Sequence, residues 1–392
     1  MPPRSSQPAP FQGNDRYHLR RRKKTKALAK KPWAFLAYIA GDNDLSDYGL
    51  EDIFEMCETG ASPKLHAAVE IDTRGDHTGS IRYEISEPDA TGEAHPVEIE
   101  RLPEMDSGAP KTLHGFLDWG LGRYAADKRL VVIWNHGAGF RTVDRDIAFD
   151  DYGSSLDMNE IESVLRQAGF GGENRIQVLG FDACLMNMLE VVHHLRGLVD
   201  VVVGSEQIEP GDGWPYEAVL QVMHGNPSPA QLSQQIVQSY IADYQARGDR
   251  NVTQSAIAVD ATDKAAAALG KLGQALAGSL AAIGASLQPI RTEVQSYRFA
   301  DYVDLVHLAQ LIDANINDPA IRTHSRAVIQ ATNAAVLANG RFGEEVDHSN
   351  GLSVWLPAER GLFLAHRSKY RALHCSTAHP GWLQFLDAYH SQ

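Results

Sequence analysis

The stretch RIQVLGFDACLMNMLEVVHHL, from Arg175 to Leu195, combines the two patterns on which the fold depends. Its first half is a continuous apolar run, typical of a strand that is buried on both faces, and it ends on an acid, Asp182, and a thiol, Cys184. Its second half has the apolar spacing of a helix. A buried strand followed by a helix is the repeating unit of a parallel sheet covered by helices on both faces.

Similar apolar runs recur along the chain and predict further strands. They are WAFLAYIA (33–40), HAAVEID (66–72), SIRYEIS (80–86), RLVVIWNHGAGF (129–140) and VDVVVGSE (199–206). Beyond about residue 227 helical patterns dominate, over 229–247, 261–287, 302–313 and 319–337, with two late strands at 252–260 and 351–357. We therefore predict an α/β fold with a mostly parallel sheet flanked by helices. The expected divisions are a basic, disordered tail (1–31), the sheet domain (32–260) and a mainly helical C-terminal region packed on the core (261–392).

Composition limits the classes of protein to which the chain can belong. With 392 residues and 43% hydrophobic content, it is long enough for a large core. No run of about 18 apolar residues occurs, and no apolar segment follows the N-terminal charges, so we expect neither a membrane span nor a secretory signal, and an intracellular location. Cys57, Cys184 and Cys375 are odd in number and widely spaced, which argues against a disulfide framework and against a zinc cluster. No metal site is predicted from these cysteines.

Charge is distributed unevenly between the N-terminal tail and the rest of the chain. The net charge is −14, yet the first 31 residues carry ten basic side chains and one acidic side chain. Such a tail can bind nucleic acid or anionic lipid, remain solvated, or fold back onto the acidic body. Nucleic-acid binding is the less favoured of these interpretations.

Two residue types suited to nucleophilic catalysis follow predicted strands. In an open parallel sheet, ligands bind outside the carboxyl ends of the strands, and His136 and Cys184 both fall there. A thiolate nucleophile with a histidine that moves the proton is the arrangement of a cysteine hydrolase. The backbone N–H groups of Gly137 and Cys184 are the expected donors to the oxygen of a substrate carbonyl as it gains charge.

Less specific interpretations of these residues remain open. Cys184 can be a small buried hydrophobic residue, and His136 a core histidine or a metal ligand. Asp182 can cap the following helix. A serine hydrolase that uses HGAG as an oxyanion loop is a further alternative, but the chain has no G-x-S-x-G motif.

Four blocks of sequence, in this order, resemble the clostripain-like cysteine peptidases of the C11 family, which are relatives of caspases, gingipains and separases. They are AYIAGDNDLS, VVIWNHGAGF, GFDACLMNMLEV and SEQIEPGDGWPYE, within residues 33–216. The resemblance implies a caspase-like sheet, a Cys184/His136 dyad and cleavage after a basic residue. It also implies that Asp182 lines the specificity pocket, with Asp212 as a less certain second candidate.

The same resemblance implies properties of the whole protein. The loop after the histidine is often self-cleaved in this family, and GFRTVDRDIAFDD offers Arg145, or else Arg141, to a pocket that selects basic residues. No cofactor is required, although calcium is possible. We expect an intracellular regulatory or defence endopeptidase made as a precursor, acting on protein or peptide substrates, with no membrane partner and a possible upstream activating factor. The alternative is a catalytically silent caspase-like scaffold that binds a protein partner.

Overall fold

The computed structural model describes residues 27–74, 79–141, 147–151 and 153–391. Most of the predicted basic tail, residues 1–26, lies outside this range, so its disorder stays a prediction. Regular secondary structure begins at Lys31. The ammonium group of this residue donates hydrogen bonds to the carbonyls of Ser62 and Leu65. This lysine therefore belongs to the folded body rather than to the tail.

The described residues form a nine-stranded sheet and a two-stranded sheet, connected and covered by helices. The strands are β1 Lys31–Gly41, β2 Leu65–Thr73, β3 Ile81–Ile85, β4 Pro96–Arg101, β5 Ala126–Trp134, β6 Ile176–Asp182, β7 Val199–Gly204, β8 Val252–Ala258, β9 Tyr302–Asp304, β10 Val336–Phe342 and β11 Ser353–Trp355. The helices are α1 Ser46–Thr59, α2 Pro110–Arg123, α3 Met158–Gln167, α4 Leu189–His194, α5 Tyr216–His224, α6 Pro229–Arg247, α7 Thr262–Glu293, α8 Leu305–Asn315, α9 Pro319–Ala335, α10 Arg360–Ala372, α11 His374–Ala378 and α12 Gly381–Tyr389.

The centre of the large sheet is parallel, as the apolar runs predict. Its strand order is β10-β8-β7-β6-β5-β1-β2-β3-β4, and the five strands from β7 to β2 in this order run parallel to one another. Antiparallel strands extend it at both sides, β3 and β4 beyond β2, and β8 and β10 beyond β7. The α/β class with a mostly parallel central sheet is thus confirmed, with antiparallel edges.

Both faces of the parallel strands are buried, which explains their continuous apolar sequences. In β1, Ala34 and Leu36 belong to one hydrophobic core, while Trp33 and Phe35 belong to the other. The helices α2, α3, α4 and α7 cover the first face, and α1, α5 and α6 cover the second. Alternate residues of one strand therefore serve two cores.

Local capping signals fix where several helices begin. Asp157 and Glu160 form a capping box at the start of α3, in which each side chain accepts a hydrogen bond from the other residue's backbone N–H. Ser228 and Gln231 do the same at the start of α6, which ends at Gly248 in the left-handed conformation. These motifs place the helix starts close to their predicted positions.

The C-terminal region is mainly helical and is joined to the large sheet. Strand β10 pairs with β8, although the sequence pattern predicts a helix as far as residue 337. Helix α7, with the turn before it, is long and apolar enough to cross a membrane, but its leucines Leu269, Leu272 and Leu276 are buried in the first core. This helix thus packs as a core helix of the described body.

Candidate active site

Strand register brings the two predicted catalytic residues to one edge of the sheet. Strands β5 and β6 are parallel neighbours, and Trp134 pairs with Asp182. His136 and Cys184 each lie two residues beyond this pair. Both line a pocket of about 90 Å³ whose other walls come from the end of β5, Asp182 and the loop 209–213.

Cys184 lies in a turn rather than in the extended strand that the sequence suggests. Strand β6 ends at Asp182, Leu185 has a φ of 65°, and helix α4 begins only at Leu189. The alternative that Asp182 caps the following helix is therefore wrong, because the N-cap position belongs to Met188. The turn nevertheless keeps Asp182 and Cys184 in the walls of the same pocket.

Backbone N–H groups surround the Cys184 sulfur. The amide of Glu209 donates to Sγ over 3.3 Å, and the amides of Gly137 and Cys184 itself also face the sulfur. Burial raises the pKa of the Cys184 thiol, and these three amides oppose that rise. Burial thus favours the neutral thiol, while the surrounding donors favour the thiolate.

Gly137 has the position that the oxyanion prediction requires. A Cβ atom built at this residue would collide with the carbonyl oxygen of Cys184, so only glycine allows the two turns to approach this closely. The Asn135 side chain supports the same turn, since its amide donates to the carbonyl of Phe149 over 2.9 Å. The N–H groups of Gly137 and Cys184 are thus held beside the sulfur, while their part in catalysis stays a prediction.

His136 contacts an acid that the sequence patterns do not single out. Its Nε2 atom lies 2.9 Å from Oδ1 of Asp44, which follows the end of β1. Strand β1 is the other neighbour of β5, so its end lies beside the histidine. The only signal for it in the sequence is the acidic segment GDND directly after the first strand.

Asp182 is buried at the base of the pocket with three hydrogen-bonding neighbours. It is 4% exposed, and its Oδ2 accepts from the Trp214 amide over 3.1 Å and from the Tyr216 hydroxyl over 2.7 Å. The third neighbour is the carboxyl group of Glu209. Burial raises the pKa of Asp182 despite these contacts. Gly213 packs directly on this carboxyl, with a φ of 58° that favours glycine.

The structure places Asp212 differently from Asp182. Its carboxylate forms an ion pair with Arg247 over 2.6 Å and is partly exposed, and Asp212 does not line the pocket, although Gly211 and Gly213 on either side of it do. The acid of this loop that lies in the pocket is Glu209 instead. Sequence reasoning missed Glu209 because nothing in EPGDGW shows which of its acids points inward.

The structure describes only one of the two predicted self-cleavage residues. Arg145 lies outside the described residues. Arg141 is buried, where its guanidinium pairs with Asp301 over 2.9 Å and stacks on Phe299 and Tyr302. Because Arg141 is buried, the active site of another molecule would reach it poorly.

Two histidine–carboxylate clusters lie outside this pocket. Asp263 contacts His193 and His379, but the guanidinium of Arg196 already lies 2.7 Å from the same carboxylate oxygen. Glu162 contacts His194 and His374, whose rings are stacked with centroids 4.0 Å apart. In each cluster the potential ligand atoms lie within 4.8 Å of one another around one carboxylate oxygen. The same contacts pack α4 against its neighbours.

The chain and its fold have counterparts among known proteins. The family model of the clostripain family, peptidase C11, matches residues 37–389. Clostripain from Hathewaya histolytica is 28% identical over 215 residues, which cover 47% of this chain and 40% of that protein. The chain thus spans about two fifths of the length of this relative. The match to the family model covers most of the chain, and the chain belongs to the clostripain family.

Solved structures of C11 proteases share the fold. A secreted C11 cysteine protease from Bacteroides thetaiotaomicron, in complex with an irreversible peptide inhibitor, superposes with a TM-score of 0.70 at 21% identity, over 89% of this chain and 99% of that one. An inactive zymogen C11 protease from Parabacteroides distasonis has a TM-score of 0.72 at 20% identity, over 90% and 99%. At these identities the likeness concerns the fold.

Proposed function

We propose that the protein is a cysteine endopeptidase in which Cys184 is the nucleophile and His136 the general acid and base. The observation that carries this proposal is the shared pocket at the carboxyl ends of β5 and β6. The thiol gives its proton to His136, the sulfur attacks the scissile carbonyl, and His136 returns the proton to the leaving amine. Water then hydrolyses the acyl-enzyme. The amides of Gly137 and Cys184 stabilise the oxyanion in both steps.

Substitution of the dyad tests this proposal. Cys184→Ala and His136→Ala should each lower kcat by several orders of magnitude, roughly 10³-fold or more, with an unchanged melting temperature. Cys57→Ala is the matched control, because that thiol is buried and its pKa is raised to about 12 by burial. Peptide cleavage that persists in Cys184→Ala would refute the assignment. Absence of peptide cleavage by the wild type would instead support the alternative of a silent scaffold.

The proposed specificity is for Arg or Lys before the cleaved bond. Asp182 is the acid at the base of the pocket, and a buried carboxylate pairs strongly with a cation once both are removed from water. Peptides that differ only in the residue before the reporter test this preference. Removing one partner of such a pair costs about 2–5 kcal/mol, so Asp182→Asn should lose most of the discrimination for Arg over neutral residues. Unchanged discrimination would assign specificity to another group.

Self-processing after the histidine is a further proposal, with Arg145 as the preferred site. Arg141 is held in a buried ion pair, and Ile147, two residues after Arg145, pairs with Leu156. Purified wild-type protein should contain a cut after Arg145, and Cys184→Ala should stay whole. Arg145→Ala should block the cut and depress activity. If Arg145→Ala is still cut, comparison with the Arg141→Ala/Arg145→Ala double variant shows whether the remaining cut lies at Arg141. A wild-type chain that is fully active without being cut would contradict the proposal that the protein is made as a precursor.

Calcium binding is proposed at an acidic cluster near this edge of the sheet. Asp42, Asp72, Glu104 and Asp150 are close neighbours, and Asp72 has a buried oxygen, Oδ1, without a hydrogen-bond donor among the described residues. Burial and the neighbouring carboxylates raise the pKa of Asp42 to about 6 and that of Asp72 to about 7. Carboxylates crowded in this way suit a hard cation, which would stabilise their ionised forms.

A thermal titration tests this site. Calcium should raise the melting temperature of the wild type at about pH 8 and much less at about pH 5, because protons compete for the same carboxylates. Asp72→Asn should lose the effect, and exposed Asp118→Asn should keep it. A calcium response that is equal in both variants would exclude this cluster.

The proposal extends to the location and the biological role of the protein. We infer an intracellular regulatory or defence role with an upstream activating factor. The three cysteines are unpaired, which suits a reducing compartment. The B. thetaiotaomicron protein is described as secreted, so the two settings must be distinguished. Immunoblotting of cytosolic and extracellular fractions does so, since recovery of the protein outside the cell would refute the intracellular role.

A further inference from the structure

The specificity pocket contains a second buried acid beside Asp182. Glu209 lies on the loop between β7 and α5, and both of its carboxyl oxygens are buried. Neither oxygen accepts a hydrogen bond of good geometry from the residues that the structure describes. Its polar side-chain neighbours are the Asp182 carboxyl and the Ser205 hydroxyl, and the two acids line the same pocket.

Within the described part of the chain, no fixed cation neutralises this pair of acids. Among the described residues, no Lys or Arg side chain forms an ion pair with either carboxyl, and Arg247 nearby is engaged with Asp212 and Asp243. Two buried carboxylates in contact repel each other strongly, so the empty pocket favours a state in which one proton lies between them. The pKa of Glu209 is accordingly raised well above its usual value, first by burial and then by the charge of Asp182.

The other groups that face the pair do not supply the missing positive charge. They are Asp52 of α1, the Ser205 hydroxyl, Tyr216 of α5, Tyr240 and Tyr244 of α6, Cys184, and His136 across the pocket. Asp52 is a further buried acid whose pKa is raised by burial and by Asp182. The tyrosines are neutral hydroxyl groups with raised pKa values. Acids and neutral groups therefore dominate this side of the pocket.

We propose that Glu209 is a second specificity-determining residue, which shares one proton with Asp182 in the empty pocket and releases that proton when the cationic side chain of a substrate enters. This inference rests on the proposed preference for basic residues and adds to it. The exchange is balanced: the singly charged pair and a guanidinium become two carboxylates and a guanidinium, and one proton passes to solvent. A neutral side chain leaves the shared proton in place and gains no ion pair.

The proposal also connects the specificity pocket with the nucleophile. The backbone N–H of Glu209 donates to the Cys184 sulfur, and the charges of Asp182 and Glu209 both oppose formation of a thiolate. A bound cation compensates these charges beside the sulfur. A basic substrate should therefore ionise the thiol more readily than a neutral substrate of the same shape.

Proton release on binding tests the proposal without catalysis. In the Cys184→Ala background, calorimetry at about pH 6 in two buffers of different ionisation enthalpy counts the protons released by a peptide amide that ends in Arg. About one proton should be released, and none by the matched peptide that ends in citrulline. Release of no proton by the Arg peptide, or failure of that peptide to bind, would overturn the proposal.

Glu209→Gln identifies the residue responsible. The glutamine amide can donate to Asp182 and keep it ionised, so the Arg peptide should bind about tenfold or more weakly and release no proton. Asp212→Asn, on the same loop but paired with Arg247, should keep both properties. Equal proton release in Glu209→Gln and its parent would overturn the assignment. If intact wild type cleaves no peptide yet shows this binding behaviour, the peptidase proposal fails while that for Glu209 stands.

Discussion

At the scale of single residues, the contact between Asp44 and His136 orients the ring of the proposed general base. Nε2 of the histidine faces the Asp44 carboxylate over 2.9 Å. The other ring nitrogen is then the one available to the thiol and the leaving group. A carboxylate at this position also stabilises the imidazolium that forms during the reaction. Asp44 thus acts through His136, as a positioning residue.

We expect Asp44→Asn to lower kcat by roughly ten- to hundredfold. This loss is smaller than the rate acceleration of about 10²- to 10⁴-fold that a general base itself supplies. KM should change little, because Asp44 acts on the histidine rather than on the substrate. Steady-state kinetics with a peptide that ends in Arg before the reporter measures both parameters. Asp47→Asn, an exposed acid on the same turn, is the control. A rise in KM with an unchanged kcat would mean that Asp44 binds substrate instead.

A second residue-scale prediction concerns Glu190, which is fully buried in the first turn of α4. It accepts a hydrogen bond from the Trp355 amide over 2.9 Å, and burial raises its pKa from 4.5 to about 7. The unfolded chain loses this proton at a lower pH than the folded protein does. Stability is therefore lost as the pH rises from about 4.5 to about 7.

Glu190→Gln should remove that loss. The variant should match the wild type near pH 4 and exceed it by about 3 kcal/mol near pH 8, since each pKa unit corresponds to about 1.4 kcal/mol. Urea unfolding at the two pH values measures the difference. Exposed Glu173→Gln should show no such divergence. If the free energies of unfolding of variant and wild type differ by the same amount at both pH values, Glu190 does not have a raised pKa in the folded protein.

At the scale of elements, the segment after His136 is held by the C-terminal region. Arg141 pairs with Asp301 over 2.9 Å, and the Trp355 indole donates to the same carboxylate over 2.7 Å. The Tyr302 hydroxyl donates to the carbonyl of Ala138 over 2.6 Å. Two contacts from around β9, one of them supported by Trp355 of β11, therefore hold the segment that follows the proposed catalytic histidine.

Asp301→Asn should destabilise the protein by about 3 kcal/mol, because it leaves the charge of Arg141 buried without its partner. Activity should fall in the same variant, since the turn beside His136 loses its anchor. The control is Asp313→Asn, whose partner Arg326 is 68% exposed and for which a loss below about 1 kcal/mol is expected. Denaturant unfolding compares the two. Equal losses in both variants would show that the buried pair does not anchor this segment.

At the scale of the whole molecule, a cut after Arg145 would separate β1–β5 from β6 and everything that follows. The two parts share the central pairing of β5 with β6, and residues from both belong to each hydrophobic core. The ends beside the cut stay attached to the body, at Arg141 on one side and Ile147 on the other. Cleavage should therefore open the loop without separating the parts.

We expect the processed protein to elute from a sizing column as a single particle of the same size as uncut Cys184→Ala. Denaturing electrophoresis of the same fraction should show two unequal fragments, because only non-covalent contacts join them. Urea at moderate concentration should dissociate them together with loss of activity. Fragments that separate under native conditions while one of them stays active would contradict a site built across β5 and β6.

Sequence patterns predicted the central architecture and the shared position of His136 and Cys184 at one edge of the sheet, because both depend on regular spacing. Apolar runs identify strands that are buried on two faces, and polar residues directly after such runs mark the carboxyl ends where ligands bind. The register of Trp134 with Asp182 converts that pattern into one pocket for His136 and Cys184. These features need only the periodicity of a strand and the order of neighbouring strands.

The partners of those residues were decided by tertiary structure alone. Asp44 reaches His136 across 92 positions and Glu209 reaches the Cys184 sulfur across 25, through turns whose course no local pattern specifies. Asp212 and Glu209 have the same local chemistry, yet one pairs with Arg247 outside the pocket and the other is buried against Asp182. Which acid turns inward depends on packing between distant segments, and that packing exists only once the chain has folded.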